Sequence, residues 1–368
     1  MSVLKTIQPD IEFIREIKKK SGAPLKTCIQ CGTCSVVCRL SPDDRPYPRK
    51  EMIRAAWGLK SELYGDPDIW LCHQCGECTT YCPRDVKPSD VLSALRRMSY
   101  IHYSRPRFPG KWMNSAAFLP LVIAIPIILI TLILWLAGTT SLPEGGINYS
   151  KFFPHLWLNS TFTGLVILVI AGNIAGLIRF WKDMTFTMPG KRQQGFIQSI
   201  LYTTIDVLLH KYFRKCIDGS VKTLAHFLVF WGFVLLLTVT LVAIVNVLTG
   251  HYPMEVLHPA KIVGNIAALM LTTGCSIMII RRILKKDDVG NTGYFDWFLL
   301  VGLLLLTLTG ILTELARLGN WEAAYYIYFI HLVMVWLIIV YLPYSKFGHF
   351  IFRILALTYT RMIGRNMR

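Results

Sequence analysis

Eight of the ten cysteines in this 368-residue chain fall into two runs of the same spacing, C-x2-C-x2-C-x3-C. The first is Cys28, Cys31, Cys34 and Cys38; the second is Cys72, Cys75, Cys78 and Cys82, closed by Pro83. Thiolates so spaced wrap a short loop around an iron–sulfur cubane, with three sulfurs reaching three iron corners. The fourth cysteine points away, and in two-cluster ferredoxins it ligates the other cluster. The pattern therefore assigns Cys28, Cys31, Cys34 and Cys82 to one [4Fe–4S] cluster, and Cys72, Cys75, Cys78 and Cys38 to a second. Gly32 and Gly76 suit the tight turns such loops need. Zinc is the bland alternative, but it takes one set of four ligands, and here two full sets stand at ferredoxin spacing. Disulfides do not use runs this tight. Such a head is a wire for electrons, and no glycine-rich dinucleotide motif follows a strand anywhere in the chain. Cys216 and Cys275 have no metal-binding company, and Cys275 reads as small packing.

Histidines are the second chemical resource, because ionisable side chains inside a bilayer are costly and usually functional. His226 opens one apolar segment; His331 and His349 lie on and just beyond the last. These last two are 18 residues apart, five turns at about 3.6 residues per turn, so they share a face if the helix continues. His226 and His349 fall at one membrane level on two helices, the arrangement that bis-histidine ligation of a b-type haem needs. Gly232, two turns above His226, would leave room for the macrocycle. The bland alternative is interfacial histidines hydrogen-bonded to neighbours. His331 suits a second haem, with His155, His251 or His258 as its partner. His73 and His102 read as structural or solvated. His210 reads as a surface histidine, with contact to a quinone head group as the alternative. Glu314, an acid in an apolar helix, is expected to pair with Arg317 or to relay protons. Trp231, Tyr344 and Lys346 are candidate quinone contacts near the inner haem.

These residues need elements to hold them. The chain is 53% hydrophobic, with a mean hydropathy of +0.45, and the apolar residues are concentrated after position 112. Six runs, at about 117–137, 156–181, 223–249, 260–281, 295–317 and 322–344, are long enough to cross a bilayer. Pro120, Pro126 and Pro343 are tolerable in spanning helices. The +17 net charge is no nucleic-acid signal, since its cations sit in alternate loops. Arg105, Arg107 and Lys111 precede the first run. Lys182, Lys191, Arg192, Lys211, Arg214, Lys215 and Lys222 lie between the second and third. Arg281, Arg282, Lys285 and Lys286 follow the fourth, and Arg353, Arg361, Arg365 and Arg368 close the chain. The opposite loops are nearly free of Lys and Arg, which places both termini on the cytoplasmic side of the inner membrane. Free thiolates and a charged start without an apolar signal segment point the same way. Residues 195–215 show apolar spacing at helical period, a helix lying on the inner membrane face or a packed surface helix. In the head, helices are expected near 11–20, 51–58 and 89–100, the last capped by Ser89 or Asp90, with 103–111 as the linker. The expected fold is mainly α: a small helical two-cluster ferredoxin-type domain (1–112), then a six-helix transmembrane cytochrome b bundle (113–368).

The motif Cys28-Ile-Gln-Cys-Gly-Thr-Cys34 and the stretch from Asp68 through Cys78 to Cys82-Pro-Arg84 resemble the iron–sulfur C-type subunit of heterodisulfide reductase. His331-Leu-Val, Leu342-Pro-Tyr-Ser-Lys346 and His349 resemble the cytochrome b (gamma) subunit of respiratory nitrate reductases, which carries two haem ligands at that separation. The fusion resembles the C-type subunits of quinone-interacting membrane-bound oxidoreductase (Qmo) complexes of sulfate reducers, over essentially the whole chain. One departure stands out: Leu236 occupies the position of that cytochrome's second histidine, which bears on the outer haem. The resemblance implies one or two haem b groups and menaquinone as substrate. It also implies flavin- and iron–sulfur-containing cytoplasmic partner subunits, with adenylylsulfate reductase beyond them. The expected function is membrane electron transfer between menaquinol and those subunits. The alternatives are the membrane subunit of a heterodisulfide reductase-type complex and a haem-free anchor for a ferredoxin head.

Overall fold

The computed structural model describes residues 8–213, 219–251, 254–255, 257–284 and 292–365. Cys216, Arg214, Lys215, Lys285, Lys286 and Arg368 lie outside the described residues. The described chain is 73% helical without strands. The head begins with α1 (Ile11–Ser21), whose Asp10 side chain accepts from the Phe13 N–H at 2.8 Å, closing the first turn. Short helices follow: α2 (Thr33–Val36), α3 (Arg49–Ala56), α4 (Lys60–Tyr64), α5 (Asp68–Leu71) and α6 (Glu77–Thr80). They lead into α7 (Pro88–Tyr103) and α8 (Phe108–Trp112). Neither Ser89 nor Asp90 caps α7. Pro88 opens it, where a missing N–H costs nothing, and the Ser89 hydroxyl meets Thr79 at 2.8 Å.

Among the described residues, six helices are long and apolar enough to cross a membrane. They are α9 (Leu119–Leu136), α11 (His155–Thr187) after the short α10 (Tyr149–Phe152), α13 (Gly219–Leu248), α14 (Pro259–Ile283), α15 (Tyr294–Leu318) and α16 (Ala324–Tyr341). Between the second and third of them lies α12 (Phe196–Leu208); α17 (His349–Met362) ends the described chain. Helix α11 runs six residues past the expected end at 181. Its last turns bury Phe180 and Met184 against the head, and Gly176 lies where a Cβ would come 2.2 Å from the Tyr103 carbonyl oxygen.

The last helix does not continue from His331 to His349. Pro343, which lacks an N–H, follows Leu342, and two 3-10 turns (Leu342–Tyr344 and Lys346–Gly348) separate α16 from α17. The five-turn argument for a shared face therefore fails. The chain is redirected so that α17 lies along the head and α12. One hydrophobic core crosses the boundary between head and bundle: Trp70 of α5 stacks on Phe352 of α17 at 4.7 Å, with Phe180 and Tyr100 edge-on around them. Arg365 ends the path buried, paired with Asp68 and donating to the Arg45 carbonyl at 2.6 Å.

Gly232 does not face a macrocycle. It is where α13 meets α14: a Cβ there would come 2.9 Å from the Ala267 carbonyl oxygen. Gly274 of α14 makes the reciprocal approach, 2.8 Å from the Ala225 carbonyl oxygen. Small residues of this kind let spanning helices pack backbone to backbone.

Candidate functional site: two cysteine cavities and a histidine cavity

The two cysteine loops have matching backbones. Gln30 and Gln74 take left-handed conformations (φ 57° and 55°), followed by Gly32 and Gly76 (φ 83° and 91°). Without Cβ atoms, these glycines let each loop fold back and start α2 and α6. One cavity is lined by Cys28, Cys31, Cys34 and Cys82; another by Cys72, Cys75, Cys78 and Cys38. The structure thus gathers the fourth cysteine of each run with the other run's first three.

The donor chemistry fits a metal cluster. Burial, then the neighbouring Cys28, Cys31 and Cys82, pushes the Cys34 thiol up to about 11. Burial and Cys72 push Cys38 up to about 12. Thiolates crowded this way need a cationic centre among them. Their sulfurs also accept N–H groups: Gln74 N to Cys72 Sγ at 3.3 Å, Val86 N to Cys82 Sγ at 3.4 Å and Gln30 Nε2 to Cys28 Sγ at 3.2 Å. Such donors stabilise the electron-rich sulfur of iron–sulfur sites and tune their potential. Cys31 is exposed, whereas Cys72 and Cys78 are buried, so the first cavity is the outer one.

Cations from both the bundle and the head hold the inner loop. Arg353 of α17 donates to the Cys72 carbonyl at 3.3 Å and the Leu71 carbonyl at 3.2 Å, and its guanidinium contacts the His73 ring. Lys222 of α13 donates to the Gln74 carbonyl at 3.0 Å, and Arg96 of α7 to the Cys72 carbonyl at 2.6 Å. Burial and Arg353 hold the His73 imidazole well below its usual range, and so neutral. His73 is therefore structural, in a position that the sequence does not reveal: it lines the second cysteine cavity and also a third cavity on the bundle side.

That third cavity is lined by His73, His210, His226, His349 and Arg353, with Asp206, Tyr212 and four apolar or aromatic side chains. His226 and His349 face each other with ring centroids 6.3 Å apart and planes at 84°. Two imidazoles sharing one metal would have ring centres roughly 6 Å apart, given metal–nitrogen bonds of about 2 Å and half a ring on either side. The hydrogen bonds set the tautomers. His349 Nδ1 meets the Lys346 carbonyl at 2.6 Å; a carbonyl only accepts, so Nδ1 carries the proton and Nε2 is the unprotonated nitrogen. Burial holds the His349 imidazole down at about 4, neutral at physiological pH. His210 Nδ1 likewise meets the Leu208 carbonyl at 3.2 Å. Its Nε2 must then accept from His226 Nδ1, 3.0 Å away, leaving His226 Nε2 unprotonated as well. Two histidines, each with Nδ1 tied back and Nε2 unprotonated, offer the kind of donors that a bis-imidazole metal site would use.

His210, read from sequence as a surface side chain, is 4% exposed and packed against this pair. The tight turn after α12, with His210 itself at φ 51°, carries the ring inward, and no sequence periodicity signals that. His331 is seated against α15, with Nδ1 3.1 Å from Thr309 Oγ1 and Gly310 making room for its ring. The Nδ1 atoms of His251 and His258 make local bonds, to Thr249 and to the Ala260 N–H that starts α14. His155 begins α11. No histidine ring stacks on His331 among the described residues.

The remaining expectations are redistributed. Glu314 pairs with Lys261 of α14 at 3.7 Å instead of Arg317, because α14 and α15 cross there. Lys346 is held by Asp296 at 2.5 Å and the Tyr344 hydroxyl by the Arg105 carbonyl at 3.1 Å, so both anchor elements and neither faces the histidine cavity. Trp231 packs beside Phe227 and Phe230. His102 stacks on Tyr64 at 4.1 Å, and Cys275 is fully buried.

Residues 24–86 match the family model "4Fe-4S dicluster domain". The chain is 43% identical over 90 residues to the C-type subunit of the H(2):CoB-CoM heterodisulfide,ferredoxin reductase of Methanothermobacter marburgensis, covering 24% of this chain and 47% of that protein. It is 40% identical over 93 residues to a protein of Archaeoglobus profundus that is itself like the C-type subunit of heterodisulfide reductase, covering 25% and 50%. The chain spans about half the length of these curated relatives. Citrate utilization protein B of Escherichia coli is 25% identical over 389 aligned residues, 97% of this chain and 95% of that protein. The head thus resembles the C-type subunit of heterodisulfide reductase, an iron–sulfur component of oxidoreductase complexes. A likeness that runs almost the full length is to citrate utilization protein B; it replaces the nitrate reductase cytochrome as a relative of the membrane part.

Proposed function

We propose that this chain is the membrane electron-transfer component of a quinone-interacting oxidoreductase complex of the Qmo type. Its cofactors are two [4Fe–4S] clusters, on Cys28, Cys31, Cys34 and Cys82 and on Cys72, Cys75, Cys78 and Cys38, and a haem b on His226 and His349. Menaquinol and menaquinone are its membrane substrates. Cytoplasmic flavin- and iron–sulfur-containing subunits are its partners, with adenylylsulfate reductase as the further acceptor in sulfate respiration. Residues 1–112 form the cytoplasmic iron–sulfur domain and residues 113–368 the domain in the inner membrane. His331 is kept as the candidate ligand of an outer haem.

The observation that carries this reading is the double position of His73, which lines both the inner cysteine cavity and the cavity of His226 and His349. His73 thus forms part of the wall of both cavities, an adjacency that supports electron exchange between them. A b-type haem would supply reversible one-electron chemistry at that histidine pair. The chain's own residues hold the two sites in register: Arg353 links the loop of Cys72 to α17, which begins with His349, and Lys222 links it to α13, which carries His226. The exposed apolar flank of the spanning helices supports placement in lipid.

The test is the absorption spectrum of the purified full-length protein as prepared and after reduction with a menaquinol analogue. Paired α and β bands that sharpen on reduction, together with bleaching of the iron–sulfur absorbance, are expected. Bleaching without haem bands would leave the anchor reading, and haem bands unresponsive to the quinol would remove the quinone. The full-length likeness to citrate utilization protein B favours a second reading, in which the same wire serves citrate utilization. Co-purification of partner subunits from the native membrane separates the two.

A further inference from the structure

We propose that His210 is a positioning residue for the metal-binding nitrogen of His226, acting through a chain of two imidazoles that ends on a backbone carbonyl. The inference rests on the reading of His226 and His349 as a haem pair. The chain runs from the Leu208 carbonyl to His210 Nδ1 at 3.2 Å, then from His210 Nε2 to His226 Nδ1 at 3.0 Å. Each link has only one orientation once the carbonyl is taken as acceptor. His226 therefore donates from Nδ1, which leaves its Nε2 as an unprotonated lone pair on a ring whose centre is 6.3 Å from that of His349.

A filler at this corner would need neither bond. The His210 ring already sits among Phe213, Phe227 and Phe230 at 5.2–5.5 Å, so an apolar side chain would satisfy the packing. A ligand imidazole whose Nδ1–H donates to a good acceptor is fixed in rotation, and its Nε2 becomes more basic. The two ligands then differ in kind. His349 leans on a carbonyl, His226 on an imidazole nitrogen that is itself polarised by a carbonyl. Greater electron donation from Nε2 favours the oxidised metal, so His210 is expected to hold the potential of the site down as well as to retain the haem.

The test compares the full-length protein with His210→Leu and His210→Gln, the latter offering a carbonyl oxygen as acceptor. Two quantities are read: the midpoint potential of the haem, and the rate at which it is lost to apomyoglobin. His210→Leu is expected to raise the ratio of reduced to oxidised haem at a fixed potential about tenfold, about 59 mV for a one-electron couple. Haem affinity should fall about tenfold, as for other residues that orient a metal ligand. His210→Gln should return both values most of the way to wild type. Should the leucine variant not accumulate, His210→Met takes its place. Leucine values equal to wild type, or glutamine values no nearer to wild type than leucine, overturn the role of His210 while leaving the haem pair intact. A wild-type protein without haem bands overturns the pair itself, and this inference with it.

Discussion

At the scale of single residues, the two cysteine runs owe their arrangement to an exchange: each lends its fourth member to the other's cavity, through Cys38 and Cys82. Cys82→Ser should therefore disturb the cluster of the first run and leave the second, and Cys38→Ser the reverse. Iron analysis and electron paramagnetic resonance of the two variants check this, with a loss of up to about four irons from one site only. A disturbance confined to the mutated run's own first three cysteines would refute the exchange. A second residue-scale expectation concerns Glu51, fully buried beside Lys50 and the carboxylates of Asp66 and Asp68. Burial raises its carboxyl to about 8, against the opposing pull of Lys50. The folded head then holds a proton that the unfolded chain releases near the ordinary carboxylate value of about 4.3. Between those two pH values the folded state binds more protons, so stability falls as pH rises. Glu51→Gln should flatten that slope in chemical denaturation of the full-length protein. An unchanged slope would place the titration elsewhere.

At the scale of elements, α12 has its polar side inward. Ser199, Thr203 and Asp206 are buried, with Asp206 paired to Arg361 of α17, while Ile197, Leu201, Ile205 and Leu209 are exposed. An apolar face turned outward beside the spanning helices suits a helix lying in the membrane interface, and the polar contact with α17 fixes its entry angle. The helix packs on α17 through its polar side and presents its apolar face outward. The α13–α14 crossing yields a prediction. Gly232→Ala would set a Cβ 2.9 Å from the Ala267 carbonyl oxygen and 3.0 Å from the Leu271 nitrogen, both of them backbone atoms that cannot swing away. Overpacking of this kind costs about 1–3 kcal/mol. The thermal unfolding midpoint in detergent should fall by several degrees, with the iron–sulfur absorbance retained; an unchanged midpoint would mean that the two helices separate freely.

At the scale of the whole molecule, head and bundle share a core and a set of charge contacts. Trp70 packs with Phe352, Arg353 and Lys222 grip the inner cysteine loop, and Arg365 reaches Asp68. Head and bundle are therefore mechanically coupled, and His73 lies in the wall of a cavity on either side. The topology offers its own test. The variants Glu144→Cys and Glu322→Cys should react with a membrane-impermeant thiol reagent in intact cells, and Lys191→Cys only after the membrane is opened. Labelling in the opposite order would put the iron–sulfur head on the outer side.

The sequence by itself determined the cysteine sets, the six apolar runs and the turn glycines, because each depends on spacing along a short stretch. A cubane loop, a bilayer's thickness and a left-handed turn are local requirements. Only the tertiary structure decided which polar groups meet across elements. Pro343 breaks the last helix, so the level of His349 follows from the turn and not from five regular helical turns. His210 joins His226 because a tight turn folds it inward, and Glu314 finds Lys261 because two helices cross. Gly232, expected beside a cofactor, serves helix contact. Such pairings are set by how helices cross and by which buried polar atoms need partners, and a one-dimensional periodicity holds no record of either.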